Sequence, residues 1–229
     1  MKKLKHTIRR IPILGPTLAY LFVWISERRF RGSANYWDER YEAGGDSGDG
    51  SYGKLAKFKA KVLNDLVDSH NMQTVIELGC GDGNQLQLAR YPKYLGLDVS
   101  QKALDICEEM FGSDPDKTFQ LMENYAGEQA DVALSLDVIY HLVEDDVFND
   151  YMGVLFGAAQ RMVVIYASNT EVQDTPQPPH VRHRHFTDWI EVNVPGWTLS
   201  QVVENEFPYD KESGEGSAAD FFVFKRRAG

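Results

Sequence analysis

Three glycines alternate with other residues in a turn that follows a short apolar strand, and an acid stands at each end of this region. Glu77 lies two residues before Gly79, which opens the series continued by Gly81 and Gly83, and Asp98 ends the next predicted strand. Glycines let the backbone bend tightly and approach a ligand without Cβ clashes. An α/β fold holds a nucleoside with this arrangement of strand, glycine turn and second strand, whose terminal acid accepts hydrogen bonds from the ribose diol.

The charge of the turn indicates which nucleoside it binds. A dinucleotide would place its pyrophosphate here, and the carboxylates of Glu77 and Asp82 would repel it. Asn84 also stands where a dinucleotide fingerprint has its last glycine. S-adenosylmethionine (SAM) has no phosphate and carries a cationic sulfonium and an ammonium, so an acidic turn suits it. The sequence therefore predicts SAM as the cofactor and disfavours a nicotinamide-dependent oxidoreductase.

At this point the chain resembles the class I SAM-dependent methyltransferases, whose first motif reads acid-x-Gly-x-Gly-x-Gly. The resemblance covers about residues 35–225. It implies a Rossmann-like, seven-stranded sheet whose last strand is inserted antiparallel. The predicted cofactor-binding residues are Tyr36, Arg40, Glu77, Gly79, Cys80, Gly81, Gly83, Asn84, Asp98, Val99, Asn124 and Leu136. Within the turn, we interpret Cys80 as a small packing residue rather than a nucleophile.

The rest of the domain alternates short apolar strands with helices, which predicts a doubly wound, mostly parallel α/β sheet. The predicted strands are 74–78, 94–98, 118–122, 131–136, 162–167 and an antiparallel pair at 197–203 and 221–225. The predicted helices after the glycine turn are 84–90, one capped by Ser100 that runs to about residue 111, 144–156 and 186–193. Ligands in such sheets lie beyond the carboxyl ends of the strands, so the loops there should carry the chemistry.

The front of the domain contains three segments that precede the first strand of the sheet. Residues 54–68 predict an amphipathic helix with its lysines opposite the apolar face. The glycine-rich segment 44–53 predicts a mobile loop that closes as a lid. Together with the aromatic helix around Tyr36, this front resembles bacterial and viral methyltransferases associated with surface-glycan assembly. The resemblance implies that Arg40 pairs with the methionine carboxylate of the cofactor, whereas Tyr36 and Trp37 also fit ordinary core packing.

The segment after the fourth predicted strand, Leu136-Asp137-Val138-Ile139-Tyr140-His141, is the first place to look for a general base. It lacks the Asn/Asp-Pro-Pro-aromatic motif of nucleobase amino-methyltransferases. It resembles small-molecule methyltransferases, which often place an acid and a histidine at this strand end. The catalytic candidates are His141 first, with Asp137. The alternative for His141 is a buried histidine that caps the next helix.

A second histidine cluster follows the fifth strand, in the run Pro-His-Val-Arg-His-Arg-His-Phe that includes His180, His183 and His185. His183 and His185 are further catalytic candidates, and the two arginines of the run would orient a polar or anionic acceptor. The same spacing could bind a transition metal. No acid or cysteine completes a recognisable ligand set, so no metal site is predicted. A solvated basic loop is the alternative.

Length and composition fit one soluble domain with an appendage. The chain has 229 residues, of which 43% are hydrophobic and 25% charged. We expect an N-terminal arm over residues 1–34 and a methyltransferase domain over residues 35–229. Two cysteines give no disulfide framework, which favours the reducing cytosol.

Charge is distributed unevenly along the chain. The formal net charge is −10, although residues 1–31 hold eight lysines and arginines and a single acid. An acidic body predicts that nucleic acid is not a partner, because phosphate neutralisation needs a basic surface.

The basic arm contains an apolar run at residues 11–25, which is short for a transmembrane helix and interrupted by Pro12, Gly15 and Pro16. It is not followed by a small-residue cleavage site. The favoured interpretation is a helix on an anionic membrane surface. The alternatives are an arm packed on the domain or on a second subunit of an oligomer, and a true membrane span.

These observations converge on a cytoplasmic SAM-dependent O-methyltransferase, peripheral on the inner face of the cell membrane. The favoured acceptor is a sugar hydroxyl on a glycan or glycolipid intermediate, and an acceptor of another small-molecule class is the alternative. The rival class is a non-catalytic SAM-binding partner protein.

Overall fold

The computed structural model describes residues 30–173 and 177–227, and within these ranges seven strands form one mixed sheet. The predicted arm helix at residues 11–25 lies outside the described residues. The strands are β1 (Thr74–Leu78), β2 (Lys93–Asp98), β3 (Lys117–Leu121), β4 (Ala130–Leu136), β5 (Ala159–Ala167), β6 (Trp197–Val203) and β7 (Asp220–Arg226).

The strand order across the sheet is β3-β2-β1-β4-β5-β7-β6. β1 to β5 pair in parallel, while β7 runs antiparallel between β5 and β6. The predicted α/β class, the Rossmann-like order and the inserted antiparallel strand are confirmed, and the sheet is mixed. In this order the carboxyl ends of β1, β2 and β4 meet at one edge, which is where a nucleoside site belongs.

Helices cover both faces of the sheet. The described helices are α1 (Ser33–Glu42), α2 (Gly53–Ser69), α3 (Gln101–Phe111), α4 (Asp145–Ala158) and α5 (Phe186–Asn193). Alternate strand residues point to opposite faces. Val75 therefore packs in the cluster that contains α2 and α3 side chains, and its neighbour Ile76 packs in the cluster that contains α4 and α5 side chains.

The prediction of a helix at residues 84–90 is wrong. The structure has only a 3₁₀ turn there, Leu86–Leu88, before β2 begins. The physical reason is the short connection between β1 and β2, since the glycine turn takes up its first half and Pro92 precedes the next strand. A crossover with a full helix needs more residues than are left.

Ser100 occupies the predicted N-cap position of α3, but its hydroxyl does not cap the helix. It donates instead to the Asp38 carboxylate at 2.8 Å, which ties α3 to α1. Among the residues that the structure describes, no helix is long and apolar enough to cross a membrane.

Candidate functional site

A cavity of about 340 Å³ opens at the edge where β1, β2 and β4 end. Seven of the predicted cofactor residues line it: Glu77, Gly79, Cys80, Gly81, Asp98, Val99 and Leu136. Two of the catalytic candidates, Asp137 and His141, line it as well. The structure thus brings the glycine turn and the strand-four segment to one enclosed space.

Glu77 is a buried carboxylate at the end of β1. It accepts a hydrogen bond from the Tyr94 hydroxyl at 2.7 Å. Burial raises the pKa of Glu77 to about 7, although Tyr94 and the nearby ammonium of Lys59 oppose the shift. A cationic ligand group beside Glu77 would therefore stabilise its ionised form.

Asp98, at the end of β2, is also buried, and a backbone N–H group of the turn holds its carboxylate in place. Its carboxylate accepts from the Gly81 N–H at 2.9 Å and from the Ser100 N–H at 3.0 Å. Burial raises the pKa of Asp98, and these backbone donors oppose that shift. A carboxylate can accept about four hydrogen bonds, so Asp98 keeps the capacity to bind a ribose diol.

Residues 79–84 are here called the cofactor turn. Its three glycines have positive φ and lie close to neighbouring side chains. Gly79 has φ 83°, and a Cβ there would lie 2.6 Å from Val138 Cγ2 of the strand-four segment. Gly81 has φ 60°, and its Cβ would lie 2.9 Å from the Tyr41 hydroxyl. Gly83 instead packs towards Phe111 of α3 and is not part of the cavity lining.

Asp82 has a different role from the one its charge suggested. It is buried, and its Oδ2 accepts from the Ser47 N–H at 3.0 Å and from the Tyr52 hydroxyl at 2.7 Å. Asn84, a predicted cofactor residue, donates from Nδ2 to the Ser51 carbonyl at 2.6 Å. Both side chains of the turn therefore fasten residues 33–52, here called the cap, over the cavity.

Helix α1 forms the other half of the cap. Ser33 donates from its N–H and its hydroxyl to the Glu144 carboxylate, at 3.0 and 2.5 Å. Arg40, predicted to bind the cofactor carboxylate, donates here to the Asp46 carbonyl at 2.6 Å and to its carboxylate at 2.8 Å. Tyr36 stacks on His180, with ring centroids 4.1 Å apart. Neither Tyr36 nor Arg40 is part of the cavity lining, whereas the ring of Trp37 is.

Asn124 ends the 3₁₀ turn after β3 and is exposed. The cavity is lined at this turn by Met122 instead.

Sequence reasoning missed Lys59, which lines the cavity from α2 and is fully buried. Its Nζ donates to Asp137 Oδ2 at 2.7 Å, and the Tyr140 hydroxyl donates to Asp137 Oδ1 at 2.8 Å. Lys59, Asp137, Tyr140 and His141 are here called the acceptor wall. The prediction that all lysines of this helix lie opposite its apolar face is wrong for Lys59. Its spacing of four residues from both Leu55 and Leu63, which are buried, was the signal that could have found it.

His141 lies between the rings of Trp37 and Tyr140, at centroid distances of 4.9 and 4.5 Å. Its Nδ1 donates to the His180 carbonyl at 2.8 Å, which makes Nε2 the basic nitrogen of the neutral ring. Burial lowers the pKa of His141 to about 4. The imidazole is therefore neutral at physiological pH and a weak base.

The other two histidine candidates lie outside the cavity lining. His183 Nδ1 is 2.6 Å from the Ser168 hydroxyl, and His185 Nδ1 is 2.8 Å from an Asp188 carboxylate oxygen. The arginines of this loop bind Asp145, at 2.8 Å from Arg182 and 3.1 Å from Arg184. In this structure they fasten the loop to the start of α4 rather than facing an acceptor.

The chemistry of the cavity fits SAM. Gln85 Oε1 is buried, belongs to a residue of the cavity lining, and has no hydrogen-bond partner among the described residues. This orphaned acceptor and the Glu77 carboxylate suit an ammonium group, and Asp98 suits a ribose. A family model described as a methyltransferase domain matches residues 76–155, from β1 through α4.

This chain carries a SAM-dependent methyltransferase domain. The predicted enzyme class and the predicted cofactor are thereby confirmed, and the nicotinamide-dependent oxidoreductase alternative is not supported. The fold agrees with that of solved methyltransferases. The domain matches the N-methyltransferase NodS from Bradyrhizobium japonicum, solved with S-adenosylhomocysteine, at a TM-score of 0.63 and 13% identity, over 86% of this chain and 100% of that one.

Two further similarities concern methyltransferases of small RNA. The methyltransferase domain of the bacterial protein CtHen1-C matches at a TM-score of 0.60 and 20% identity, over 76% of this chain and 100% of that one. The small RNA 2'-O-methyltransferase of Mus musculus is 29% identical over 168 residues, which is 63% of this chain. The chain spans 42% of the length of that relative.

The expectation that nucleic acid is not a partner is wrong. It relied on the acidic net charge of the body, whereas relatives of this domain are named for methylating RNA. Net charge is a statement about the whole surface, and a local site for a short strand does not need the whole surface to be basic.

Proposed function

We propose that this protein transfers a methyl group from SAM to a hydroxyl of a sugar. The observation that carries the proposal is the acceptor wall, which places Asp137 and His141, two proton acceptors, beside the cofactor turn. Gly79 of the cofactor turn lies against Val138, the residue that follows Asp137 in the chain. A hydroxyl acceptor must lose a proton during transfer, so such groups are useful for O-methylation. The relatives named as 2'-O-methyltransferases support the same bond type.

Each part of the site has a role in this proposal. Bound SAM supplies a methyl carbon activated by the adjacent sulfonium. Glu77 and Gln85 hold the ammonium end, and Asp98 binds the ribose. The cap excludes water and holds the acceptor in line with the methyl carbon. The acceptor wall takes the proton.

Two classes of sugar acceptor follow from different observations. The resemblance of residues 33–61 to methyltransferases of surface-glycan assembly supports a glycan or glycolipid acceptor. The RNA-methylating relatives support the ribose of RNA as the second candidate. The first candidate is the one we adopt, because the resemblance extends to the front of the domain, which covers the acceptor side of the cavity.

Radiolabelled SAM distinguishes the two classes. The purified protein is offered lipid-linked and soluble oligosaccharides, an RNA oligonucleotide and the same oligonucleotide with a 2'-deoxy 3' end. Label in an alkali-stable ether on an oligosaccharide supports the glycan proposal. Label on RNA that disappears with the 2'-deoxy end supports ribose. SAM binding without transfer to any hydroxyl contradicts O-methylation and favours the non-catalytic alternative.

The arm at residues 1–34 is part of the proposal for a lipid-linked acceptor. Each basic residue near an anionic surface contributes about 1 kcal/mol, and residues 1–31 hold eight of them. Full-length protein should sediment with vesicles of phosphatidylglycerol and phosphatidylcholine, and less so in high salt. Protein that lacks residues 1–31 should not. Equal sedimentation of both contradicts the anchor, and truncation that converts an oligomer to a monomer favours the subunit-packing alternative.

A further inference from the structure

Lys59 is a buried cation on an otherwise apolar helix face. None of its surface is exposed, and its neighbours one turn away are the buried Leu55 and Leu63. Taking an ammonium out of water costs several kcal/mol unless it is paired. A methionine would fill the same space without that cost. The position of Lys59 in the wall of the cavity therefore calls for a reason other than packing.

The contacts of Lys59 lead to one carboxylate. Its Nζ lies 2.7 Å from Asp137 Oδ2, and it lies 5.4 Å from the ring centroid of Tyr166. The Tyr140 hydroxyl binds the other oxygen of Asp137. Each carboxylate oxygen thus receives one donor from these residues and can accept a further hydrogen bond. Two donors from different elements fix the plane in which the Asp137 carboxylate faces the cavity.

Asp137 is also held in an unfavourable backbone conformation. Its φ is 61°, in the left-handed region that residues other than glycine rarely adopt. The cap approaches it closely and only a glycine fits there, since a Cβ at Gly50 would lie 2.6 Å from Asp137 Oδ2. Such strain costs about 1–3 kcal/mol and is typical of functional sites. The buried cation and the strained anion share one ion pair, which lies in the wall of the cavity.

We propose that Lys59 is a positioning residue that holds the Asp137 carboxylate in place to take the hydroxyl proton of the acceptor. This inference rests on the proposed O-methyl transfer. It assigns the catalytic residue among the candidates of the acceptor wall and gives Lys59 a role that works through Asp137.

Methyl transfer is a displacement at the methyl carbon of SAM. The acceptor oxygen forms a bond to the methyl carbon, the carbon–sulfur bond breaks, and its electron pair stays on sulfur as the neutral thioether. The hydroxyl proton passes to Asp137 and from there to solvent. Lys59 keeps its proton throughout, and its charge stabilises the carboxylate between turnovers.

His141 fits this role less well. Its Nδ1 is committed to the His180 carbonyl, and no charged partner holds its ring as Lys59 holds Asp137 among the contacts described above. Its ring is packed edge-on against Trp37, which lines the same cavity. We assign His141 to the shape of the acceptor site.

The test is a double-mutant cycle with the full-length protein, measured as transfer of label from SAM to the oligosaccharide or RNA oligonucleotide that the wild type methylates. The variants are K59M, D137N, the double K59M/D137N, the conservative K59R, and K57M as the matched control, since Lys57 is exposed on the same helix. SAM affinity is measured by calorimetry at pH 8, where Glu77 is largely ionised. We expect D137N to lower kcat by roughly 10²–10⁴-fold and K59M by about 30-fold or more. SAM affinity should stay within about fivefold and KM within about threefold.

Coupling is the readout that a merely structural lysine would not give. In the D137N background, adding K59M should change kcat by less than about threefold, because its role has already been lost. K59R should retain kcat within about tenfold of the wild type, and K57M should match the wild type. If K59M does not fold, the double variant and K59R still decide, since neither leaves an unpaired carboxylate in the wall.

Three results would overturn the inference. One is a folded K59M with kcat within threefold of the wild type. Another is a double variant much slower than D137N. The third is a raised KM at unchanged kcat, which would mean that Lys59 binds the acceptor. Failure of the proposed function looks different, because then the wild type binds SAM and methylates no hydroxyl acceptor, and the inference falls with it.

Discussion

The cofactor turn and the acceptor wall differ in how far apart along the chain their residues lie. Glu77 and Asp98 flank a single strand–turn–strand unit, and the spacing between them is visible in the sequence. Lys59 comes from α2, before the sheet begins, and meets Asp137 only because β4 lies next to β1. A linear motif therefore describes the first region, while the second exists only once the sheet order is known.

The largest expected effect tests whether the cofactor turn depends on its own backbone. Gly81→Ala should weaken SAM binding at least 100-fold, because the new Cβ needs positive φ and crowds Tyr41 and Ser47. Gly214→Ala is the matched control, with φ 70° and open space around the Cβ. Calorimetry that shows equal affinity for the two variants would mean that the crowding at Gly81 does not matter.

The next effect concerns the charge of the turn. Ionised Glu77 should pair with the ammonium of SAM, so affinity should rise about tenfold between pH 6 and about pH 7.5. Folding raises the pKa of Glu77 from 4.5 to about 7. The folded protein therefore keeps this proton to a higher pH than the unfolded chain does. The free energy of unfolding of the cofactor-free protein should fall as the pH rises from 4.5 to about 7.

Glu77→Gln is the control for both pH effects. It should flatten the pH dependence of SAM affinity and of the free energy of unfolding. A slope that persists in the variant would assign the titration to another group near Glu77, such as Asp98, whose pKa burial also raises.

A smaller effect tests the junction between the two regions. Asp82→Asn weakens the acceptor of the Ser47 and Tyr52 hydrogen bonds, and Tyr52→Phe removes only one of them. A hydrogen bond to a charged group contributes about 1.5–3 kcal/mol. We expect faster hydrogen exchange at the Ser47 amide in both variants and SAM affinity lower by about fivefold. Unchanged exchange would show that the contacts of α1 and of Asn84 hold the cap without Asp82.

The smallest effect is expected at His141. His141→Gln should lower kcat by less than about threefold, and the wild-type rate should not follow a histidine titration between pH 5 and 7. The reason is that burial lowers the pKa of His141 to about 4, so the ring is already neutral across this range. Stopped assays at several pH values check this. A loss of a hundredfold would return the role of general base to His141.

What the sequence predicted follows the same division. The strands around the cofactor turn and the end of α3 were found because apolar runs and glycines mark them locally. Lys59 was missed because a lysine on an amphipathic helix is assigned to the solvent side by its type, and only its spacing contradicts this. The role of Asp82 in holding the cap was also missed, because the sequence does not show that the cap donates two hydrogen bonds to it.

The nucleic-acid expectation failed for a related reason. Net charge averages over the whole surface, while an acceptor is recognised by a few side chains. The helix expected at residues 84–90 came from the alternation of strands and helices, and it does not form because too few residues remain between the cofactor turn and the start of β2.

The contact between Ser33 and the Glu144 carboxylate has a consequence for the order in which the protein is made. The two residues are 111 positions apart in the chain, and ribosomes add about 5–20 residues per second. Helix α1 therefore emerges roughly 6–20 s before its docking partner exists. We expect the cap to be held by its contacts with Asp82, Asn84 and Ser100 until synthesis passes the start of α4, so that its N-terminal end is the last part to close over the cavity.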